Sequence, residues 1–365
     1  MKKERVGWII VVLLVIVVVW GVVGWVGEER QEDEIVSPLV RRGEQGKKEK
    51  VEKKKENSQL NCGLAEYDFE NLRKKYKAGG FEEVEWQVLD RIKEVDLRRD
   101  NLGYKTADFG FKSRRFRYKS GGKWISGMMN YFEDDKKRPM VIMIRGYADR
   151  EGYYSGFGSW KMADELAKKG WLTMSMDFLG FGQSDEESVD IMEARFEKVP
   201  VVLDLMEMVK KLDFVDKDKI AIWAHSNGGQ IAISVLEISE EKYPTVLWAP
   251  MTNPFPKSLW DTADEMDDGG KLVIERLEKL DKNCDVKKYS IDNYYDWLEA
   301  PVLVQQGSWD KWCKVEWQEE MVDKLGKLGK EAELVVYEKD NHNLSRNWHK
   351  AVKKAIEFYQ NKFGS

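Results

Sequence analysis

Residues 219–238 read KIAIWAHSNGGQIAISVLEI, a stretch that predicts a strand, a tight turn and a helix. The first half is a short apolar run of strand length, and the second half has the apolar periodicity of a helix. Ser226 stands at the turn, with Ala224 two residues before it and Gly228 two residues after it. A strand that turns this abruptly holds a serine exposed and strained at a helix N-terminus, and small flanking residues let the turn close. The stretch therefore indicates a nucleophile elbow, and a serine that only caps the helix is the alternative.

Apolar runs of strand length alternate with helical patterns on both sides of this stretch. The predicted strands are residues 139–145, 171–177, 219–225, 245–248, 301–306 and 333–337. The helical patterns fall at about 160–169, 190–212, 228–241, 315–329 and 345–362. An antiparallel pair precedes them at residues 105–118 and 123–132. This order predicts an α/β fold with a mostly parallel sheet covered by helices on both faces, whose reactive groups lie at the carboxyl ends of the strands.

A serine becomes a nucleophile when a base takes its proton and a carboxylate orients the base. The chain has 3 histidines, of which His225 adjoins the serine and His349 lies inside the last predicted helix. His342 follows the strand 333–337 in a loop and is the candidate base. Asp310 follows the strand 301–306 and is the candidate carboxylate. Ser226, Asp310 and His342 thus occur in the order serine, acid, histidine, each after a separate strand.

Acyl transfer also needs N–H donors for the oxyanion. The backbone N–H of Asn227 is one candidate, and that of Tyr147, after the strand 139–145, is the other. Gly146 permits a close approach of the backbone beside it. This chemistry requires no metal and no organic cofactor.

Residues from about 121 to 363 resemble the α/β-hydrolase superfamily. They are most similar to the catalytic domain of the prolyl oligopeptidase family and its dipeptidyl-aminopeptidase-like and acyl-esterase-like relatives. Beside the elbow, the resemblance is carried by the strand PMVIMIRG at 139–146, the loop DFLGFGQS at 177–184, GSWD at 307–310 and DNH at 340–342. It implies a serine hydrolase that cleaves small ester, acyl or short-peptide substrates through an acyl-enzyme. A carboxylesterase or lysophospholipase-like lipase is the alternative within this chemistry.

Three departures from the family pattern bear on activity and specificity. Arg145 stands where the family usually has histidine, and Ala224 stands where the elbow usually has glycine. The chain before the hydrolase domain is expected to be too short for the propeller of many relatives, so their exopeptidase specificity is not carried over. A catalytically inactive binding module with the same fold is the alternative of another class.

The surroundings of the predicted site leave several roles open. Residues 250–300 stand where the superfamily inserts cap segments, and a short lid and an ordinary surface excursion are both consistent with them. Trp248, Trp309 and Trp312 are candidates for a substrate pocket, with core packing as the alternative for each. These choices depend on the packing around Ser226.

Residues 6–27 contain no charged residue and are long enough to cross a bilayer as a helix. Lys and Arg in the segment 1–5 predict a cytoplasmic N-terminus, and the absence of a small-residue cleavage site favours an uncleaved anchor over a signal peptide. Residues 28–61 are highly charged and predict a linker, and 62–365 form the hydrolase domain. The expected topology is a single-pass membrane protein with an extracytoplasmic catalytic domain. In that compartment one cysteine pair is expected to bridge, with Cys284–Cys313 preferred.

Composition excludes several other classes of protein. The 365 residues contain 60 Lys+Arg and 65 Asp+Glu, for a formal net charge of -5, so the basic excess that drives nucleic-acid binding is missing. With 3 Cys and 3 His the chain has too few ligands for a disulfide scaffold or a zinc centre rich in these residues. The expected partners are therefore a small substrate and the membrane.

Overall fold

The computed structural model describes residues 62–79, 85–263 and 268–364. The predicted cytoplasmic tail (1–5), membrane anchor (6–27) and charged linker (28–61) lie outside these ranges. Within them, no helix is both long enough and apolar enough to cross a membrane.

Nine strands form one sheet in the described chain. They are β1 (Trp86–Val88), β2 (Lys112–Ser120), β3 (Lys123–Tyr131), β4 (Arg138–Ile144), β5 (Leu172–Met176), β6 (Val215–His225), β7 (Thr245–Trp248), β8 (Val302–Gly307) and β9 (Ala332–Tyr337). Their order across the sheet is β1-β2-β3-β5-β4-β6-β7-β8-β9. The strands from β5 to β9 in this order pair in parallel, whereas β1, β2 and β3 are antiparallel additions at one edge. The predicted mostly parallel sheet is confirmed.

Helices cover both faces of this sheet. They are α1 (Phe69–Lys77), α2 (Lys93–Asn101), α3 (Trp160–Ala167), α4 (Ile191–Phe196), α5 (Lys198–Lys211), α6 (Asn227–Ser239), α7 (Lys257–Trp260), α8 (Lys271–Asn283), α9 (Val315–Lys327) and α10 (Trp348–Phe363). Apolar side chains of α1, α5, α6 and α9 pack on one face of the sheet, and those of α2, α3 and α10 pack on the other. Continuous apolar strands require this double covering.

Two predicted elements differ in the structure. The helix predicted at 190–212 is two helices, α4 and α5, which meet at Glu197. Pro200 has no N–H to donate to the carbonyl of Phe196, so one ladder bond of an uninterrupted helix is missing there. The strand predicted from residue 105 begins at Lys112, after a short 3-10 helix at Thr106–Phe109.

The described residues of the segment 250–300 form α7, α8 and the short 3-10 helices Val286–Tyr289, Ile291–Asn293 and Tyr295–Trp297. Its apolar side chains form a small separate core with Met192 and Phe196 of α4. A disulfide ties it to the start of the domain through Cys62 and Cys284, with a Cα–Cα distance of 5.0 Å. The preferred pairing of Cys284 with Cys313 is therefore wrong. Cys313 is buried near Asp310 at the carboxyl end of β8 and forms no disulfide.

Candidate active site

Ser226 occupies the turn between β6 and α6, with φ 55° and ψ -126°. This positive φ is rare for a residue with a side chain and stores backbone strain. Three backbone hydrogen bonds hold the turn: the Ser226 N–H donates to the carbonyl of Trp248 at 3.0 Å, and its carbonyl accepts from Gly229 and Met251, both at 2.8 Å. The Ser226 hydroxyl makes no capping bond to α6. The strained turn is thus the predicted elbow, and the hydroxyl is not occupied as a helix cap.

Small residues let the elbow pack against the end of β4. A Cβ on Gly228 would lie 2.4 Å from the carbonyl oxygen of Ile144, and one on Gly146 would lie 2.7 Å from the Cβ of Ser226. Both distances are shorter than the non-bonded contacts that Cβ atoms make in proteins, so a larger residue at either position would force the elbow away from the end of β4. Ala224, which replaces the usual glycine, is fully buried in β6. The methyl of Ala224 is therefore accommodated within the core.

Asp310 and His342, 32 residues apart in the chain, are hydrogen-bonded in the structure. His342 Nδ1–H donates to Asp310 Oδ2 at 2.8 Å, which leaves Nε2 of His342 as a proton acceptor. The Asp310 carboxylate also accepts from Gln306 Nε2 at 2.8 Å and from the N–H groups of Trp312 and Cys313 at 2.9 and 3.0 Å. Burial raises the pKa of Asp310, but the hydrogen bond and charge of His342 and the other donors outweigh it and lower that pKa. The carboxylate is therefore ionised at neutral pH.

His225 connects the elbow to the loop that carries His342. The two imidazole rings have centroids 4.7 Å apart, and His225 Nε2–H donates to the backbone carbonyl of His342 at 3.3 Å. Burial, followed by the neighbouring His342, lowers the pKa of His225 to about 3, so its ring is neutral. Within the described ranges the Ser226 hydroxyl and His342 form no hydrogen bond. Such bonds are often long or poorly aligned until a substrate binds.

Asp340 organises the loop around His342 and was not predicted from the sequence. Its buried carboxylate accepts backbone N–H bonds from Asn341, Arg346 and Asn347, at 2.9, 3.1 and 2.8 Å. Burial raises the pKa of Asp340, but these bonds outweigh it and lower that pKa. An aspartate that begins a loop often accepts backbone bonds from the following residues, so the sequence held a weak signal for this role.

Arg145 supports the loop expected to bind the oxyanion. The Arg145 side chain is buried, and it donates to the carbonyl of Gly146 at 2.8 Å and to the hydroxyl of Tyr153 at 3.0 Å. The guanidinium also lies 4.3 Å from the ring centre of Phe181. Tyr147 follows and is 80% exposed, and its hydroxyl donates to Asp149 Oδ1 at 3.0 Å.

The three predicted pocket tryptophans occupy different environments. Trp248 is 1% exposed and packs against Trp223 and Trp348 in the core, so its predicted pocket role is wrong. Trp309 and Trp312 flank Asp310 and are 56% and 49% exposed. Both therefore present aromatic surface beside the site.

One group of side chains in the described chain has the spacing of metal ligands. Ligand atoms of Asp310, Cys313 and His342 lie within 4.8 Å of one another. The Asp310 carboxylate is already saturated by His342, Gln306 and two backbone N–H groups. A metal ion here would have to displace the hydrogen bond that orients the imidazole, so the donor set suits a hydrogen-bonded pair better than an ion.

Comparison with known proteins agrees with the geometry. The model of the prolyl oligopeptidase family matches residues 196–365, and the model of the alpha/beta hydrolase fold matches residues 139–246. Over these residues the domain is similar to the prolyl oligopeptidase family and has the alpha/beta hydrolase fold. The first of these matches contains Ser226, Asp310 and His342, and the second contains Tyr147 and Ser226.

The chain is 24% identical over 225 residues to the uncharacterized peptidase YuxL of Bacillus subtilis (strain 168). That match covers 60% of this chain and 33% of the relative, so the chain spans about a third of the length of this curated protein.

Solved structures show the same fold. An acylaminoacyl peptidase of Pyrococcus horikoshii superposes with a TM-score of 0.55 and 19% identity, covering 69% of this chain and 42% of that one. An acetyl xylan esterase from Paenibacillus sp. R4 superposes with a TM-score of 0.58 and 14% identity, covering 79% and 92%. The fold of the domain is thus shared by a peptidase and an esterase.

Proposed function

We propose that Ser226, His342 and Asp310 act as the nucleophile, general base and orienting carboxylate of a hydrolase for small esters or short peptides. The observation that carries the proposal is the 2.8 Å bond between Asp310 and His342, on a loop joined through His225 to the strained elbow. In this arrangement Nε2 of His342 can accept the proton of the serine hydroxyl. The Ser226 oxygen then attacks the substrate carbonyl.

The tetrahedral intermediate places a negative charge on the former carbonyl oxygen. The backbone N–H of Asn227, in the first turn of α6, and that of Tyr147 are the proposed donors to this oxyanion. The hydrogen bond from Arg145 to Gly146 fixes the loop that carries the second donor. His342 then gives its proton to the leaving group, which departs and leaves the acyl group on Ser226. In the second half of the reaction His342 takes a proton from water, the resulting hydroxide attacks the acyl-enzyme, and the proton returns to Ser226 as the acid product leaves.

Ester and amide substrates place different demands on the site. We favour a serine peptidase-like activity from the family, with a carboxylesterase or lysophospholipase-like lipase as the second candidate. The half-exposed Trp309 and Trp312 favour the second, because they offer apolar surface beside Asp310. The segment 250–300 is proposed as a cap, since its α7 and α8 pack on α4 and its first residues contact the elbow.

Turnover of a matched panel tests this proposal. p-Nitrophenyl esters and aminoacyl p-nitroanilides are compared with the intact chain and with its Ser226→Ala variant. We expect esters or amides to be cleaved by the intact chain only. Equal turnover by both proteins, or none by either, contradicts the proposal and favours an inactive binding module.

We also propose that residues 6–27 anchor the protein, with the hydrolase domain outside the cytoplasm. The uncharged span and the basic residues before it support this orientation. The Cys62–Cys284 disulfide supports an oxidising compartment, because such bonds are rare in the reducing cytosol. Protease added to intact cells should cut the domain, and protection of the domain until lysis would contradict the topology.

A further inference from the structure

Two basic side chains beside the elbow have no carboxylate partner in the described chain. Arg195, in the last turn of α4, donates from Nη2 to the side-chain oxygen of Gln230. Burial alone affects its pKa and lowers it to about 10, so no nearby charge stabilises the cation. Lys198, the first residue of α5, forms no ion pair within the described ranges.

The two carboxylates whose charges act on Lys198 are paired with other cations. Glu187 lies 2.8 Å from Arg150, and Glu197 lies 3.3 Å from Lys123. Burial is the largest cause that lowers the pKa of Lys198 to about 8; the charge of Glu187 opposes it, Arg195 and Arg145 add to it, and Glu197 opposes it. Two neighbouring cations are thus held in a partly buried place where no carboxylate of the described chain pairs directly with either, which is costly unless an anion binds there.

The position of these cations relates them to the reacting serine. Gln230, the partner of Arg195, follows Ser226 by about one helical turn, or ~6 Å along the axis of α6. Lys198 interacts electrostatically with Arg145, whose side chain supports the proposed oxyanion loop: the charge of Arg145 lowers the pKa of Lys198. Both Arg195 and Lys198 are partly exposed to solvent. Arg195 thus contacts the elbow helix about one turn after Ser226, and Lys198 follows Arg195 at the start of α5.

We propose that Arg195 and Lys198 bind a carboxylate of the substrate, so that the hydrolase prefers esters or amides whose acyl or leaving part ends in an acid. This inference rests on the proposed hydrolysis at Ser226. Arg195 uses one nitrogen for Gln230 and keeps its other N–H groups for a carboxylate, while Lys198 adds a compact point charge. A charge-assisted contact of this kind is worth about 10- to 100-fold in affinity.

The test uses p-nitrophenyl hemiesters of succinic, glutaric and adipic acid, each paired with its methyl-capped ester. The measured quantity is the ratio of kcat/KM for the acid to that for the capped ester. We expect a ratio of at least about 10 for one chain length in the intact protein, with a fall of about 10-fold or more in Arg195→Gln and in Lys198→Gln. The control Lys353→Gln removes an exposed cation on α10 and should leave the ratio unchanged.

Isothermal titration calorimetry with the free dicarboxylate measures binding to the anion site without requiring hydrolysis, so it tests this inference separately from the proposed activity. A weaker Kd in Arg195→Gln and Lys198→Gln, but not in Lys353→Gln, supports the anion site even if neither ester is hydrolysed. If the capped ester is hydrolysed through Ser226 but the acid has no advantage, the inference is wrong and the proposed hydrolysis stands. A preference for the acid that survives in the Arg195→Gln/Lys198→Gln double variant also overturns it.

Discussion

Asp310 differs from its amide only in charge and hydrogen-bonding capacity, so Asp310→Asn isolates its orienting role. The amide nitrogen cannot accept the Nδ1–H of His342, and the imidazole is expected to adopt the wrong tautomer. We predict a fall in kcat of about 10³- to 10⁴-fold with an almost unchanged KM. Steady-state kinetics on a cleaved ester measure it, with the exposed surface variant Asp323→Asn as control. A loss of less than about 10-fold would contradict the role of Asp310.

Lys198 gives the proposed acid preference a pH dependence. Its pKa is lowered from the ordinary 10.5 to about 8, first by burial, with Arg195 and Arg145 lowering it and Glu187 and Glu197 raising it. The amine is thus charged below about pH 8 and neutral above it. We predict that the ratio of kcat/KM for acid and capped esters falls as the pH rises from 7 to 9.5. A ratio that is flat or rises over this interval would show that Lys198 does not bind the acid.

Individual residues were predictable where chain order and element type reveal a role. Ser226, His342 and Asp310 each follow a strand, and that placement is visible in the sequence. Gln306 was missed, because a glutamine in a buried strand looks like any satisfied polar residue until Asp310 is seen beside it. Trp248 was a candidate for either the pocket or the core and lies in the core, because a position at a strand end does not say which face of the sheet the side chain enters.

At the scale of elements, α2 is fixed to α3 by a buried ion pair. Arg99 donates to both carboxylate oxygens of Asp164 on α3 at 2.7 Å, and both side chains are almost fully buried. Asp164→Ala would remove the buried, bidentate partner of this guanidinium and leave only the more exposed carboxylate of Asp96, at 3.2 Å, which we expect to cost about 3–5 kcal/mol. Urea denaturation measures the change in the free energy of unfolding. The exposed pair partner Asp323 is the control, since Asp323→Ala should cost no more than about 0.5 kcal/mol.

The element α2 also shows where periodicity stops being informative. Its sequence, KEVDLRRDN, is mostly charged and buries only Val95 and Arg99. A buried arginine cannot be distinguished from a surface one by hydrophobicity, and its partner Asp164 lies 65 residues away. The strongly apolar strands and the amphipathic helices were predictable because burial alone specifies them.

At the scale of the whole molecule, the Cys62–Cys284 disulfide closes a loop with a sequence separation of 222 residues. A cross-link of this kind restricts the unfolded chain and stabilises the fold by about 2–5 kcal/mol. We predict that dithiothreitol lowers the Tm of the intact protein but not that of Cys62→Ser, which should already melt at the lower temperature. Thermal unfolding with and without reductant measures both. A Tm of Cys62→Ser equal to that of the oxidised intact protein would contradict the stabilising role.

The architecture followed from the sequence because alternating strands and helices leave few ways to cover a parallel sheet. The disulfide pairing did not, since it depends on where residues 250–300 fold relative to the start of the domain. Three cysteines allow three pairings, and the sequence does not distinguish among them. The membrane anchor and linker, at 6–27 and 28–61, lie outside the described residues and stay predictions.

The central claim is that Ser226 is the nucleophile of a working hydrolase. A fluorophosphonate probe reacts covalently with an activated serine, so the labelled residue can be read by peptide mass spectrometry. We predict that the probe labels the intact chain at Ser226 alone and does not label Ser226→Ala. The control variant is Ser345→Ala, which changes a serine in the loop after His342. This control should be labelled as fast as the intact chain. Equal labelling of the intact chain and Ser226→Ala would contradict the claim.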